Sequence, residues 1–167
     1  PEGNITGTSD AIPVEKIFEL AAELTPDAES FGLIYNTGEV NSVSVIDETK
    51  AYLDAQGISH TEASVASTGD VQTAAQTLLS RCHEIISPID NTVASALPVL
   101  AQEAIAAGLP VYPTADSMVR DGGLATVGIN YTVLGGQTAA LVRKVLEGTP
   151  IADIPVELVN ASSAGGH

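Results

Sequence analysis

The stretch Phe31-Gly32-Leu33-Ile34-Tyr35 decides the fold, because it is a short and nearly continuous apolar run. Such a run is typical of a strand that lies inside a parallel sheet and is covered on both faces. The polar loop Asn36-Thr37-Gly38-Glu39 follows it, and residues 41–56 are then predicted to form a helix that Gly57 ends as a C-cap. The order of strand, loop and helix predicts one βα unit.

The same cycle repeats on both sides of this unit. The further predicted strands lie at residues 60–65, 84–87 and 109–112, and the further predicted helices at residues 10–24, 71–81 and 94–107. Short apolar strands that alternate with helices indicate a parallel sheet with helices on both faces. We therefore predict an α/β fold with a Rossmann-like or flavodoxin-like sheet and right-handed crossovers.

The rhythm changes in the last third of the chain. Residues 115–123 are polar and contain glycines, which predicts a crossing segment. The elements predicted after it are a strand, a helix and a last strand, at residues 124–129, 133–146 and 154–158. Pro155 has no N–H to donate, so the last strand is expected at a sheet edge. As a domain organisation we predict a single α/β lobe over residues 1–160 and a flexible tail over residues 161–167.

Composition limits the partners of the protein. The 167 residues are 44% hydrophobic, which is enough for one domain with a real core, and 21 acidic against 6 basic residues give a formal net charge of −15. Such a surface repels phosphate backbones, so a nucleic-acid partner is not expected. No run of about 18 apolar residues is present, so no membrane-spanning segment is predicted. The chain starts without Met and without a signal peptide, as expected of a mature or excised fragment.

Catalytic and cofactor motifs are missing from the sequence. The single cysteine, Cys82, follows a predicted helix, where a structural role is expected, and no Cys/His spacing suggests zinc. None of His60, His83 and His167 lies in a nucleophile motif, and no G-x-S-x-G, P-loop or G-x-G-x-x-G pattern occurs. We predict no catalytic residue, no metal and no cofactor, and expect a protein that is not an enzyme. A flavodoxin-like or receiver-like domain stays the first alternative, and an α/β enzyme the second.

Polar residues after successive predicted strands indicate where a ligand binds, because ligands of open α/β sheets lie beyond the carboxyl ends of the strands. Asn41 and Ser42 are predicted to open a helix, whose free N–H groups and dipole favour an anion. Asp90, Asn91 and Thr92 follow a buried strand, and an aspartate there can pair with an ammonium group. Ordinary helix capping also explains both groups, and that alternative stays open.

The loop at residues 66–70 also follows a predicted strand at this edge, and two further parts complete the candidate site. Asp116 and Ser117 follow the strand predicted at residues 109–112 and form either a ligand contact or a simple turn. Among the few aromatic residues, Tyr35, Tyr112 and Tyr131 are the nearby candidates for stacking on a ligand. Donors for an anion and an acid for a cation would together suit an amino acid zwitterion.

Four blocks of the sequence resemble a known family. The chain is similar to the second lobe of type I periplasmic binding proteins and, within them, to the ABC-importer substrate-binding family that includes tryptophan- and tyrosine-type binders. The blocks that carry the resemblance are residues 4–10, 34–42, 90–96 and 112–129.

The resemblance implies a two-lobed protein that closes on a small ligand and delivers it to an ABC permease, and the family suggests an aromatic amino acid as that ligand. It implies that the loops with Asn41, Ser42, Asp90, Asn91 and Ser117 face the ligand cleft, and that the protein is periplasmic or an extracytoplasmic lipoprotein. Residues 1–10 are then a hinge crossing. Two questions stay open: whether residues 115–150 belong to the other lobe, and whether the isolated lobe forms a homodimer.

Overall fold

The computed structural model describes residues 4–11, 13–129 and 131–158. These residues form two compact units, one over Pro13–Val127 and a smaller one within Pro1–Ile12 and Gly128–Ser163. The described strands are β1 (Thr8–Ser9), β2 (Ser30–Asn36), β3 (Ser59–Val65), β4 (Glu84–Ser87), β5 (Val111–Pro113) and β6 (Glu157–Leu158). The described α-helices are α1 (Val14–Leu24), α2 (Val40–Gln56), α3 (Val71–Leu79), α4 (Asn91–Ser95), α5 (Leu97–Ala107), α6 (Asp116–Arg120) and α7 (Tyr131–Leu146).

The larger unit contains a four-stranded sheet in the order β3-β2-β4-β5, and every neighbouring pair is parallel. In the register of the sheet, Leu33 lies opposite Glu62 on one side and opposite Ile86 on the other, and Ile86 lies opposite Tyr112. The predicted parallel α/β sheet is therefore confirmed. Because all four strands run the same way, their carboxyl ends meet at one edge.

Helices cover both faces of this sheet. On one face, alternate residues of the strands pack with α3 and α5 in a core whose members include Ile34, Val65, Ile85, Leu78 and Leu100, each at most 3% exposed. On the other face, Phe18 of α1 meets Phe31 edge to face at 4.9 Å and stacks on Tyr52 of α2 at 5.0 Å. Burial of each large apolar side chain stabilises the fold by about 1.5–3 kcal/mol.

Cys82 has the structural role that its position predicts. The residue is 5% exposed, and its Sγ donates to the carbonyl oxygen of Leu78 in the last turn of α3 at 3.1 Å. Burial raises the pKa of the thiol to about 11, so the reactive thiolate is suppressed at neutral pH. A Cβ at Gly32 would lie 2.8 Å from this Sγ, which explains why a glycine interrupts the apolar run of β2.

The helix predicted over residues 94–107 is wrong in its extent. It is two helices, α4 and α5, separated at Ala96, whose φ of −112° and ψ of 12° are not helical. Pro98 lies in the first turn of α5, where its missing N–H costs nothing, whereas in one continuous helix its ring would clash with the preceding turn. The prediction also missed that the helical conformation starts at Asn91.

The predicted strand over residues 124–129 is also wrong, because this segment has no strand assignment. The segment starts beside β5, where the Leu124 N–H donates to the Val111 carbonyl at 2.8 Å, and Ala125 and Ile129 are 4% exposed. Apolar burial without a hydrogen-bonded ladder gives the same sequence pattern as a strand. The crossing at residues 115–123 contains the short helix α6, which the prediction also missed.

Other predicted boundaries differ by a few residues. The first helix begins at Val14 and not at residue 10, because Pro13 before it has an extended ψ of 128°. The third helix ends at Leu79, and the strand predicted at residues 109–112 is Val111–Pro113.

The smaller unit pairs β1 with β6 in parallel, with Thr8 opposite Glu157. The Thr6 hydroxyl donates to the Ile154 carbonyl at 2.8 Å, and the hydroxyls of Thr8 and Thr138 of α7 share a hydrogen bond of 2.7 Å. The strand predicted from residue 154 begins only at Glu157, after Pro155. Leu141 is the one buried residue of α7, so this helix leaves most of its apolar side chains exposed.

No α-helix among the described residues has the length and hydropathy needed to cross a bilayer. The tail predicted over residues 161–167 lies outside the described residues. The hinge crossing over residues 1–10 and the assignment of residues 115–150 to another lobe stay predictions.

Candidate ligand-binding rim

Three loops follow the carboxyl ends of neighbouring strands, and we call them together the rim: residues 36–42 after β2, residues 88–92 after β4 and residues 114–117 after β5. Hydrogen bonds join the first two loops to each other and the third loop to the end of β4. The Asn36 N–H donates to Asp90 Oδ2 at 2.6 Å, and the Thr114 N–H donates to the carbonyl of Ser87, the last residue of β4, at 3.1 Å. The rim is therefore one connected edge of the larger unit, where ligands of open α/β sheets bind.

Asp90 is fully buried and uses both carboxylate oxygens inside the protein. Oδ1 accepts the N–H of Val93 at 2.9 Å as the N-cap of α4, and Oδ2 accepts the N–H of Asn36 at the end of β2. Both bonds are charge-assisted and compensate the burial of the carboxylate. The capping role that the sequence left open is therefore present, while pairing of Asp90 with a ligand ammonium group stays a prediction.

Asn41 and Ser42 both hold the loop that follows β4. Asn41 Nδ2 donates to the Ile89 carbonyl at 2.7 Å, and the fully buried Ser42 donates its hydroxyl to the same carbonyl at 3.2 Å. Helix α2 begins at Val40, so both residues lie in its first turn as predicted. Their side chains position a neighbouring rim loop, and a direct contact of either with a ligand stays a prediction.

Glu39 is a rim residue that the sequence analysis did not predict as part of the site. Its Oε2 accepts the N–H of Asn91 at 2.9 Å and the Asn91 Nδ2 at 2.8 Å, and its Oε1 accepts the N–H and the hydroxyl of Thr92, each at 3.0 Å. The Asn91 N–H is the main cause that holds the pKa of Glu39 below its ordinary value. We call these four bonds the Glu39 bridge.

No local signal could have revealed the Glu39 bridge, because its partners are 52 and 53 residues away in sequence. Asn36 was also missed as a site residue. Its side chain donates to the Thr92 hydroxyl at 2.8 Å and accepts the N–H of Gly38 at 2.8 Å. Asn36 therefore also helps to hold the loop after β2 against the loop after β4.

Of the remaining predicted residues, the two in α6 are exposed at the rim, whereas the two tyrosines form hydrogen bonds to residues outside it. Asp116 and Ser117 are exposed in the first turn of α6, at the β5 end of the rim. Tyr35 instead donates to Glu62 Oε2 of β3 at 2.9 Å, beside Lys50, and partial burial and Glu62 together raise the pKa of its phenol. Tyr112 is fully buried and shares a hydrogen bond of 2.8 Å with Thr25, so it offers no ring face to a ligand.

The charge of the rim limits what it can bind. Residues 36–42, 88–92 and 114–117 contain three carboxylates and neither lysine nor arginine. Two of these carboxylates, Glu39 and Asp116, are not buried. The rim therefore offers amide, hydroxyl and carboxylate groups, which suit the cationic end of a small polar ligand.

Comparison with known proteins identifies the family. Residues 1–164 match the family described as ABC transporter substrate binding protein. A relative from Clostridioides difficile (strain R20291), named tyrosine-binding protein, is 35% identical over 93% of this chain and 45% of its own length.

Two solved structures are similar over nearly the whole chain. A conserved domain protein from Vibrio cholerae superposes with a TM-score of 0.88 at 37% identity, over 99% of this chain and 56% of that chain. The ABC domain from Streptococcus pneumonia, solved in complex with L-Trp, superposes with a TM-score of 0.85 at 35% identity, over 98% of this chain and 56% of that chain.

The protein belongs to the ABC transporter substrate binding protein family. The resemblance noted from the sequence is thereby confirmed, and with it the type I periplasmic binding protein fold. The chain spans about half the length of the curated relatives that it matches.

Proposed function

We propose that this chain is a ligand-capturing part of the solute-binding protein of an ABC importer, and that its ligand is an aromatic amino acid. The single observation that carries the proposal is the connected rim, placed where the fold binds ligands, in a chain of a substrate-binding family. The name of one relative and the bound L-Trp of another support the class of ligand.

The charge of the rim supports an orientation for that ligand. Without lysine or arginine, the rim has no cationic side chain to pair with a carboxylate, and the N–H groups of Asn91 and Thr92 already donate to Glu39. We therefore propose that the rim receives the ammonium end of the amino acid. Asp116, which is exposed, is the candidate partner, while Asp90 supports the loop from within.

Membership of a substrate-binding family, whose members in general work outside the cytoplasm, supports ligand capture without catalysis. We propose that the full protein is extracytoplasmic and delivers its ligand to an ABC permease. A lipid anchor and a homodimer of the isolated lobe stay predictions that await their own measurements.

The smaller unit supports a second proposal, that it belongs to the other lobe of the full protein. Two strands of two residues do not make a stable parallel sheet alone, and parallel strands are normally covered on both faces. Ile5, Leu146 and Leu158 are 78%, 82% and 63% exposed. Amide hydrogen exchange in α7 should therefore be slower in a full-length protein than in the 167-residue chain, and equal rates would contradict the assignment.

The test of ligand binding uses the full-length protein that contains this chain. L-tyrosine and L-tryptophan should raise its melting temperature in proportion to the logarithm of ligand concentration above Kd. Two probes matched to L-tyrosine test the proposed orientation: 3-(4-hydroxyphenyl)propionate lacks only the ammonium group, and tyramine lacks only the carboxylate. Loss of the ammonium group should abolish the effect of Asp116→Asn on affinity. A melting temperature that responds to sugars or purines and to no amino acid would refute the proposal.

A further inference from the structure

The Glu39 carboxylate has no acceptor position left for a ligand. A carboxylate offers about four lone-pair sites, and the Glu39 bridge uses four donors, two on each oxygen. A ligand could therefore reach Glu39 only by breaking a bond to Asn91 or Thr92. This geometry fits a residue that affects ligand binding by holding Asn91 and Thr92 in place and not by contacting the ligand.

We propose that Glu39 is a positioning residue of the rim: its carboxylate fixes the loop after β4 against the loop after β2 before any ligand arrives. The consequence for ligand affinity rests on the proposed function, whereas the bridge itself does not.

The short helix α4 explains why such a bridge is useful. It has five residues, and a helix of that length is not stable by itself. Two carboxylates hold its first turn, Asp90 from its own N-cap and Glu39 from the loop after β2. Asp90 is buried and joins the loops from beneath, so loss of the Glu39 bridge at the surface should leave the fold intact while Asn91 and Thr92 gain freedom.

A preformed rim lowers the ordering cost of binding. If Asn91 and Thr92 must be immobilised when the ligand arrives, each rotamer-rich side chain adds a cost to the free energy of binding. The expected loss on removal of the bridge is roughly tenfold in Kd.

Acid titration followed by NMR tests the bridge without any ligand. Because N–H donors lower the pKa of Glu39, the bridge persists below the usual glutamate pKa of about 4.3 and is lost as pH falls through the pKa of the folded state. The amide proton shifts of Asn91 and Thr92 should follow the Glu39 carboxyl carbon through that transition. Asp90 lies in the loop after β4, and its carboxyl carbon gives a signal separate from that of Glu39.

Two variants complete this test. Glu39→Gln should remove the acid transition from both amides. Glu103→Gln should keep it, because the hydrogen-bond partners of Glu103 among the described residues are the side chains of Gln72 and Gln76 in α3, away from the rim. Amides of Asn91 and Thr92 that do not follow the Glu39 titration would overturn the proposed bridge.

Affinity for L-tyrosine, measured with the full-length protein, tests the positioning role. Glu39→Gln should raise Kd about tenfold with little change in melting temperature, and Glu103→Gln should match the wild type. A Glu39→Gln protein that binds as the wild type does would refute positioning even if the bridge exists. If the wild type binds neither L-tyrosine nor L-tryptophan, the proposed function fails, and the NMR titration alone decides whether Glu39 fixes the loops.

Discussion

Replacing Asp90 by alanine removes a fully buried side chain that joins the end of β2 to the start of α4. Two N–H donors lose their acceptor, that of Asn36 at 2.6 Å and that of Val93 at 2.9 Å. Loss of an N-cap costs about 1 kcal/mol, and a buried donor left without a partner costs about 1–3 kcal/mol more. We therefore expect Asp90→Ala to lower the free energy of unfolding by about 3 kcal/mol.

Thermal unfolding followed by circular dichroism measures this loss. For a unit of this size, 3 kcal/mol corresponds to a fall in melting temperature of roughly 10 °C. Asp90→Asn should lose about half as much, because its amide oxygen can still accept one of the two N–H groups. Asp116→Ala is the matched control: this aspartate is exposed and has no side-chain hydrogen bond recorded among the described residues, so its melting temperature should stay within about 2 °C of the wild type.

Comparing the Asp90 and Asp116 variants distinguishes an aspartate that stabilises the fold from one that contacts the ligand. If Asp90→Ala melts within about 2 °C of the wild type, its two hydrogen bonds do not stabilise the protein, and the argument from burial is wrong. If Asp116→Ala instead shows the larger fall, the assignment of the two carboxylates to structure and ligand must be exchanged.

Three other substitutions test separate features. Burial raises the pKa of Glu84, so the contribution of its protonated form to stability is present below about pH 4.3 and is lost as pH rises through the folded-state pKa. Urea unfolding across pH 4 to 8 should therefore show Glu84→Gln gaining stability over the wild type as pH rises. A difference between the two proteins that stays constant with pH would contradict this. The Thr114 hydroxyl is buried without a hydrogen-bond partner among the described residues, so Thr114→Val should be neutral or stabilising by up to about 1 kcal/mol, whereas a clear loss would reveal a hidden partner. Gly122 has a φ of 123°, and a Cβ there would lie 2.5 Å from the Cβ of Ala101. Denaturant unfolding should therefore find Gly122→Ala more destabilising than Gly57→Ala, which has a φ of 70° but open space around it, and equal losses would mean that only backbone strain matters.

The sheet could be predicted from the sequence because its signal is local. β2 contains the buried run Phe31–Ile34 and β4 contains the buried pair Ile85 and Ile86, so a short apolar run in the sequence identifies each strand. The parallel βα repeat also places the carboxyl ends of the strands at one edge, which is where the rim lies. The same reasoning failed at residues 124–129, where apolar residues are buried without strand pairing. The local sequence does not show whether a buried apolar segment forms hydrogen bonds to a neighbouring strand.

The candidate site could be predicted in its location but not in the task of each residue. A polar residue after a strand has the same local pattern whether it binds a ligand, caps a helix or holds another loop. Asp90 and Ser42 fit this limit, because their partners at Asn36 and Ile89 lie 54 and 47 residues away. Only tertiary structure decides between those tasks.

The division of tasks within the rim has an experimental consequence. Ser42 and Asp90 are fully buried, so their substitution should change stability and ligand affinity together. Asp116 and Ser117 are exposed on the same edge, so their substitution should change affinity with little effect on stability. Glu39 lies between these groups: it is part of the internal hydrogen bonding, yet it sits near the surface, where its loss leaves the core untouched. Affinity that falls without a change in melting temperature is therefore expected both for direct contacts and for the Glu39 bridge, and only the acid titration of the Asn91 and Thr92 amides tells the two apart.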